Sequence, residues 1–172
     1  MKRYLTRSGQ GVTVREANDD DAAAIENIVN CVALEKYYIV PESSREDWDE
    51  AIEEIKGRRG LIIVAQVDEK IVGMAHLARG RLKKIRHIGF LGISILREFR
   101  GIGIGTAMMN YMLEWAEKQG ELEKVSLTVF STNKAAINLY RRFGFKVEGT
   151  SKKHYKIEGR YIDEITMGKF LT

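Results

Sequence analysis

The amino-acid sequence predicts one α/β domain in which a mixed sheet is flanked by helices. Two observations lead to this class. Segments with the alternating or continuous apolar pattern of strands are interleaved with segments whose apolar residues recur every three or four positions, as on one face of a helix. The 172 residues also contain no internal repeat, low-complexity tract or linker, and this length suits one ordinary domain. The predicted order is β-α-α-β-β-β-α-β-α-β-β, with about seven strands.

The N-terminal part is expected to begin with a flexible start over residues 1–11, so that the folded domain covers residues 12–172. The alternation of apolar and polar residues at 12–16 predicts the first strand. A helix follows, because Asn18 and Asp19 offer an N-cap and the next apolar residues recur at helical spacing. Its predicted apolar face consists of Ala22, Ile25, Ile28, Val29, Val32 and Ala33.

A second helix is predicted between Ser43, which forms a capping box with Glu46, and Gly57. From Gly60 onward the apolar pattern changes to that of strands, with a turn at residues 68–70. These strands are predicted at residues 61–67, 71–77 and 85–96.

The C-terminal half continues with a helix that starts near Ile104 and ends at Gly120. A strand follows at residues 125–130, and then a short helix at residues 133–142. Two strands joined near residues 158–159 complete the predicted sheet.

Composition excludes several classes of function. The net charge of +4 is small, and no basic stripe with interleaved aromatic residues indicates a nucleic-acid partner. The single cysteine excludes an intramolecular disulfide and a multi-cysteine metal site, and the three histidines lack metal-ligand spacing. Without a long apolar run or a signal-peptide pattern, the sequence predicts no membrane contact and a cytoplasmic location.

The most informative segment joins a predicted strand to a predicted helix through a glycine-rich turn. Alternate glycines allow a ligand to approach the backbone closely, and the first amides of a helix favour a phosphate group. Arg100 stands at the entrance of the turn and is expected to add a charge-assisted contact. The predicted phosphate-binding residues are Arg100, Gly101, Ile102, Gly103, Ile104, Gly105 and Thr106.

Two other nucleotide-binding motifs do not fit this turn. A dinucleotide fingerprint needs a third glycine at the position of Thr106, and the acids near the expected ribose contact, Glu121 and Glu123, precede a strand and do not follow one. The G-K-[ST] of a phosphate-binding P-loop is absent.

The pattern R-x-x-G-x-G, from Arg100 to Gly105, resembles motif A of the GNAT superfamily of N-acetyltransferases. A second segment from Asn133 to Phe145 has the pattern N-x-x-A-x-x-x-Y-x-x-x-G-F and looks like motif B of that superfamily. The order of predicted elements is also similar, so the resemblance covers nearly the whole chain.

The resemblance implies a mostly antiparallel sheet that splays apart at the site of acetyl-CoA. Motif A would hold the pyrophosphate, and the pantetheine arm would pair with the backbone of Ile93, Ser94 and Ile95. A bulge in such a strand often leaves backbone amides unpaired, and one of them would stabilise the oxyanion. Further cofactor contacts are implied for Asn133, Asn138 and Arg142.

The resemblance also implies direct transfer of the acetyl group to an amine. Tyr140 matches the tyrosine of motif B and is the expected hydrogen-bond donor to the departing sulfur. The general base is left open between His87 and a water relay to Glu35 or Glu42. Many relatives carry a glutamate on the strand before motif A, whereas residues 85–96 contain no acid.

The C-terminal residues 147–167 look like the ending shared by bacterial amino-acid, spermidine and ribosomal-protein acetyltransferases. The L-T-V-F-x-x-N segment at residues 127–133 looks nearest to the L-amino-acid enzymes. A small primary amine is therefore the expected acceptor, with Glu35 and Glu42 as candidate substrate contacts. A catalytically silent CoA-binding sensor is the alternative from another class. Because exposed sheet edges often pair, a homodimer is a candidate assembly.

Overall fold

The computed structural model describes residues 1–7, 9–35 and 48–171. In these parts of the chain, strands and helices follow one another in the predicted order after one additional strand at the start. The strands are β1 (Lys2–Leu5), β2 (Gly11–Glu16), β3 (Leu61–Val67), β4 (Lys70–Arg79), β5 (Ile88–Ile95), β6 (Lys124–Phe130), β7 (Lys146–Ile157) and β8 (Arg160–Phe170). The helices are α1 (Ala22–Ala33), α2 (Trp48–Gly57), α3 (Ile104–Gln119) and α4 (Lys134–Arg142).

One eight-stranded sheet, in the order β1-β2-β3-β4-β5-β6-β8-β7, organises the fold. Neighbouring strands are antiparallel except for β5 and β6, which are parallel. The mixed, mostly antiparallel sheet flanked by helices is therefore confirmed. None of the helices in the described ranges is long and apolar enough to cross a membrane.

The strand β1 is a correction to the flexible start expected for residues 1–11. It pairs with β2 from Lys2 opposite Val14 to Leu5 opposite Gly11. It is a short outer strand in which Leu5 is 78% exposed and only Tyr4 packs against the core. Its apolar pattern is therefore too weak to stand out in the sequence.

Two other predicted boundaries differ from the structure. The strand expected at residues 85–96 begins at Ile88, because Lys83–Ile85 form a 3-10 turn that ends just before it. His87 consequently precedes β5. The helix α2 begins at Trp48, and the capping box expected at Ser43 and Glu46 lies outside the described residues.

Helices cover both faces of the sheet, so successive residues of the central strands enter two different clusters. On β3, Ile63 and Ala65 pack in the cluster that includes α3 and α4. Ile62 and Val64 pack in the other cluster, with residues of α1 and α2. This alternation explains why β3 reads as a continuous apolar run.

The sheet opens between β5 and β6, as the resemblance implied. Their parallel pairing covers only Ile88 to Phe90, opposite Lys124 to Ser126. Beyond Phe90, β5 continues to Ile95 in pairs with β4, and β6 continues to Phe130 in pairs with β8. The two strands therefore part and leave a gap in the middle of the sheet.

Candidate active site

The glycine-rich turn sits at the end of β5 that borders the gap. Gly101 has a φ of +78° and Gly103 a φ of +110°, which are conformations that side chains disfavour. Gly103 is the N-cap of α3, a helix of 16 residues. The first amides of α3 have no intrahelical partners, and together with the helix dipole they favour an anion at this turn.

A cavity of about 270 Å³ lies between this turn, the gap and the start of α4. It brings together most of the residues that the sequence predicted for the cofactor. Those that line it are Ile93, Ile95, Arg100, Gly101, Gly103, Gly105, Thr106, Asn133 and Arg142. Tyr140, the expected donor to the sulfur, lines it as well. The two motifs, which are separated by 27 residues of the chain, thus form opposite walls of one cleft.

Four predicted cofactor residues do not line this cavity. Ile104 is 1% exposed and belongs to the core, and Ile102 packs against that core. The side chain of Asn138 is on the exposed side of α4. Ser94 is buried and lies on the opposite face of β5 from Ile93 and Ile95.

The backbone of β5 supplies the unpaired polar groups of the gap. The N–H of Leu96 donates to Val72 on β4 at 2.9 Å, and the carbonyl of Ile88 also accepts a bond from that side. Because backbone groups of an antiparallel strand alternate between its two edges, those of Ser94 point to β4. The N–H and C=O groups of Leu91 and Ile93 therefore point into the gap.

The expected bulge in β5 does not occur. The pairing of β4 with β5 is regular from Gly73 opposite Ile95 to Arg79 opposite Gly89. The amides that face the gap are exposed by the separation of β5 from β6, and no irregularity within β5 is needed to expose them.

Arg100 and Glu35 form an ion pair that joins the turn to the end of α1. The guanidinium donates to the two carboxylate oxygens of Glu35 at 2.7 and 2.8 Å, and its Nε donates to the carbonyl of Ile95 at 2.8 Å. This bidentate geometry is a strong form of charge-assisted bond. Arg100 therefore holds the turn against β5 and α1, and Glu35 does not enter the cavity lining.

Arg7 lines the cavity but was missed in the sequence. Its N–H donates to the carbonyl of Ile102 at 2.8 Å, which places the segment after β1 beside the turn. The sequence contains no local signal for this contact, because it depends on the pairing of β1 with the rest of the sheet. Arg7 and Arg142 add positive charge to the lining.

Tyr140 is 8% exposed, and its ring packs near that of Phe145 with 5.9 Å between the ring centres. Burial raises the pKa of Tyr140 to about 12, so the phenol stays protonated at neutral pH. Since Tyr140 also lines the cavity, it combines a packing role with a proton donor beside the gap.

Asn133 serves as the N-cap of α4. Its Oδ1 accepts a bond from the N–H of Ala136 at 3.1 Å, and the residue also lines the cavity. The helix start predicted at this residue is thus in place.

Two candidates for the general base, His87 and Glu35, do not line this cavity. His87 precedes β5 and lies six residues from Ile93, a separation of roughly 20 Å along an extended chain. Glu42 lies outside the described residues. No cluster of potential metal ligands occurs in the ranges that the structure describes.

A family model and individual relatives identify the same family for this chain. The sequence model of the acetyltransferase (GNAT) family matches residues 24–145. The chain is similar to the L-amino acid N-acetyltransferase AaaT of Escherichia coli (strain K12), with 29% identity over 163 residues that cover 92% of this chain and 97% of that protein. It is also 32% identical to an N-alpha-acetyltransferase of Sulfurisphaera tokodaii over 118 residues, which cover 63% of this chain and 69% of that protein.

Solved structures show the same architecture. An acetyltransferase of the GNAT family from Streptococcus pneumoniae has a TM-score of 0.86 and 29% identity, and the match covers 94% of this chain and 99% of that one. A phosphinothricin acetyltransferase from Sinorhizobium meliloti, solved in complex with AcCoA, has a TM-score of 0.85. At 23% identity, with coverage of 93% and 88%, this second likeness concerns the fold alone.

Proposed function

The chain belongs to the GNAT family of acetyltransferases, and on that premise we propose that it transfers an acetyl group from acetyl-CoA directly to the primary amine of a small molecule, foremost a free amino acid. The observation that carries the proposal is the cleft in which motif A, motif B and the gap between β5 and β6 meet. A phosphate group, an extended arm and a thioester would each find suitable partners along it.

The residues of the cleft fit the parts of acetyl-CoA in order. The turn from Gly101 to Gly105, with the first amides of α3, would hold the pyrophosphate, and Arg7 and Arg142 would neutralise phosphate charge. The backbone groups of Leu91 and Ile93 would pair with the amides of the pantetheine arm. One of their N–H groups would also donate to the thioester carbonyl as negative charge develops there.

The chemistry needs no covalent enzyme intermediate. The neutral amine attacks the thioester carbon, the C–N bond forms, and the C–S bond breaks. Tyr140 donates its phenolic proton to the sulfur, which it can do because burial keeps the phenol protonated. The amine must lose one proton in the same reaction, and this requires an acceptor on the other side of the thioester.

The class of acceptor is proposed from the similarity of this chain to known acetyltransferases. A relative that matches along almost its whole length is an L-amino acid N-acetyltransferase, and the C-terminal pattern of residues 147–167 agrees with such enzymes. The shorter matches to N-alpha-acetyltransferases favour a second candidate, in which the amine is the N-terminus of a protein. Both acceptors present a primary amine on an α-carbon, and that carbon is bonded to a carbonyl or carboxyl group.

The test is CoA release from acetyl-CoA in the presence of free amino acids, polyamines and N-terminal peptides, measured separately. We expect turnover with one or more free amino acids. Turnover with peptides alone would make the second candidate correct. Binding of acetyl-CoA without transfer to any amine would identify a CoA-binding sensor and overturn both.

A further inference from the structure

A second groove lies on the face of the sheet that carries α1 and α2, opposite the cofactor cleft. Its volume is about 600 Å³. The helix α2 contributes Trp48 and the carboxylates of Glu50 and Glu54, and β4 contributes His76 and Ala78. The groove therefore combines an apolar wall with charged groups, as a site for a small polar molecule requires.

His76 occupies an unusual position within this groove. It stands opposite Gly92 in the pairing of β4 with β5. A Cβ atom added to Gly92 would lie 2.3 Å from Cε1 and 2.9 Å from Nε2 of His76. The imidazole thus lies over Gly92 of β5, in the space that a side chain at position 92 would fill, which requires glycine there.

This position brings the imidazole to the edge of the gap. Gly92 is two residues beyond Phe90, where the pairing of β5 with β6 ends. The next residue, Ile93, lines the cofactor cleft on the other face, and its backbone points into the gap. The ring of His76 therefore lies at the strand that borders the gap, next to the residue whose backbone faces the proposed thioester site.

The imidazole has a lone pair available for a ligand. Its Nδ1 is buried and has no hydrogen-bond partner among the described residues, whereas Nε2 is not buried. Burial lowers the pKa of His76 to about 4, so the ring is neutral at physiological pH. Around it, Glu50 and Glu54 on α2 offset the positive charge of Arg58, Arg79 and Arg81, which also line the groove.

We propose that His76 accepts the proton that the acceptor amine loses when it attacks the thioester, and that Gly92 gives the imidazole its room. This inference rests on the proposed acetyl transfer and names its base. As the C–N bond forms and the C–S bond breaks, the amine proton moves to Nε2 and the phenolic proton of Tyr140 moves to sulfur. The resulting imidazolium and phenolate exchange their proton through solvent, which leaves one amide and one thiol.

The first test removes the imidazole. His76→Gln and His76→Ala are assayed for kcat, for KM of the best amino acid and for binding of acetyl-CoA. We expect kcat to fall about 100-fold, the low end for general base catalysis, with unchanged affinity for acetyl-CoA. Added imidazole should restore part of the kcat of His76→Ala, because the groove is open; a structural role would give no such rescue.

Two other histidine variants separate this assignment from its competitors. His154→Gln changes an exposed histidine on β7 and should leave kcat unchanged. His87→Gln tests the base that the sequence suggested. If His87→Gln abolishes turnover while His76→Gln does not, the inference is wrong.

Gly92→Ala provides an independent test if the His76 variants fail to fold. Its added Cβ must displace the imidazole, so kcat should fall while acetyl-CoA still stabilises the protein. Gly149→Ala is the matched control, because no atom lies within 4 Å of a Cβ at that position. Normal kcat in Gly92→Ala would overturn the inference, whereas a wild-type protein that acetylates no amine would overturn the proposed function itself.

Discussion

At the scale of single residues, the proton donation from Tyr140 to the departing sulfur that we propose can be tested directly. Tyr140→Phe should lower kcat by ~10²–10⁴-fold, because in the proposed mechanism the hydroxyl acts only as charge builds on the sulfur. Affinity for acetyl-CoA and the thermal midpoint should barely change, since the ring keeps its packing against Phe145. Steady-state kinetics and thermal denaturation provide both readouts.

A matched control for that variant exists on β7. Tyr155 also has a pKa raised to about 12, mainly by burial, but its hydroxyl donates to Glu164 at 2.8 Å and does not line the cleft. Tyr155→Phe should therefore leave kcat unaltered. Equal losses in the two variants would show that Tyr140 acts through packing alone.

The buried imidazole of His76 should also make the stability of the protein depend on pH. Its pKa is about 4 in the folded protein and about 6.5 when unfolded, so only the unfolded state takes up this proton as the pH falls between those values. The free energy of unfolding should decrease by up to about 1.4 kcal/mol per pH unit in that window. Urea unfolding at pH 7.5 and pH 5 measures the decrease.

Four carboxylates with lowered pKa values, Asp21, Glu114, Glu121 and Asp163, also lose stabilising contacts when they are protonated at low pH. The contribution of His76 must therefore be isolated. In His76→Gln, the part of the decrease between pH 6.5 and pH 5 that belongs to this imidazole should disappear. An identical pH dependence in the two proteins would show that the imidazole is hydrated when folded.

The sequence predicts some residues of the candidate site and misses others. Tyr140 and Asn133 belong to a motif within thirteen consecutive residues, so spacing alone identified them. Arg7 and His76 reach their positions through pairing between strands, and nothing in their local sequence encodes that pairing. Arg100 was found, but its bond to Glu35 depends on where α1 ends relative to the turn.

At the scale of elements, the turn before α3 can be tested with two glycines of similar conformation. Gly103→Ala should weaken acetyl-CoA binding strongly, since a φ of +110° forces the alanine backbone to shift at the proposed phosphate site. Gly120 ends α3 with a φ of +64°, and Gly120→Ala lies far from the cleft. Both variants should lose roughly 1–3 kcal/mol of stability.

Calorimetric titration with acetyl-CoA separates a loss of acetyl-CoA affinity from a loss of stability. Only Gly103→Ala should show a higher Kd once folding is confirmed by circular dichroism. If Gly120→Ala weakens binding as much, the loss reflects general destabilisation, and the turn is not the phosphate site.

Elements were predicted well where their pattern is strong and poorly where it is weak. The apolar face of α3 buries side chains on every turn, and β3 buries all of its residues except Gln66. Both elements appear at the expected place. The strand β1 buries almost nothing. The start of β5 was misplaced, because Ile85 continues the apolar pattern although it belongs to a 3-10 turn.

At the scale of the whole molecule, the gap divides the sheet into strands β1 to β5 and strands β6 to β8. Acetyl-CoA should bridge the two parts, so hydrogen exchange of the Leu91 and Ile93 amides should slow when it binds. Amides of β8 paired with β7 serve as the internal reference. At about 100 times Kd the ligand should add roughly 2.7 kcal/mol to the free energy of unfolding.

Unchanged exchange at Leu91 and Ile93, together with a clear rise in stability, would mean that the ligand binds elsewhere. The general architecture behind this prediction followed from the resemblance. The point of separation at Phe90 did not, because it depends on how far β6 follows β5 before each strand turns to another partner.

The outer strand β7 has a consequence for behaviour in concentrated solution. β7 is exposed along most of its twelve residues, its register with β8 shifts twice, and it carries Lys146, Lys152, Lys153 and Lys156. Lysines and irregular register hinder the addition of another strand. Colloidal self-association through this edge is therefore disfavoured, and a homodimer would have to form through another surface.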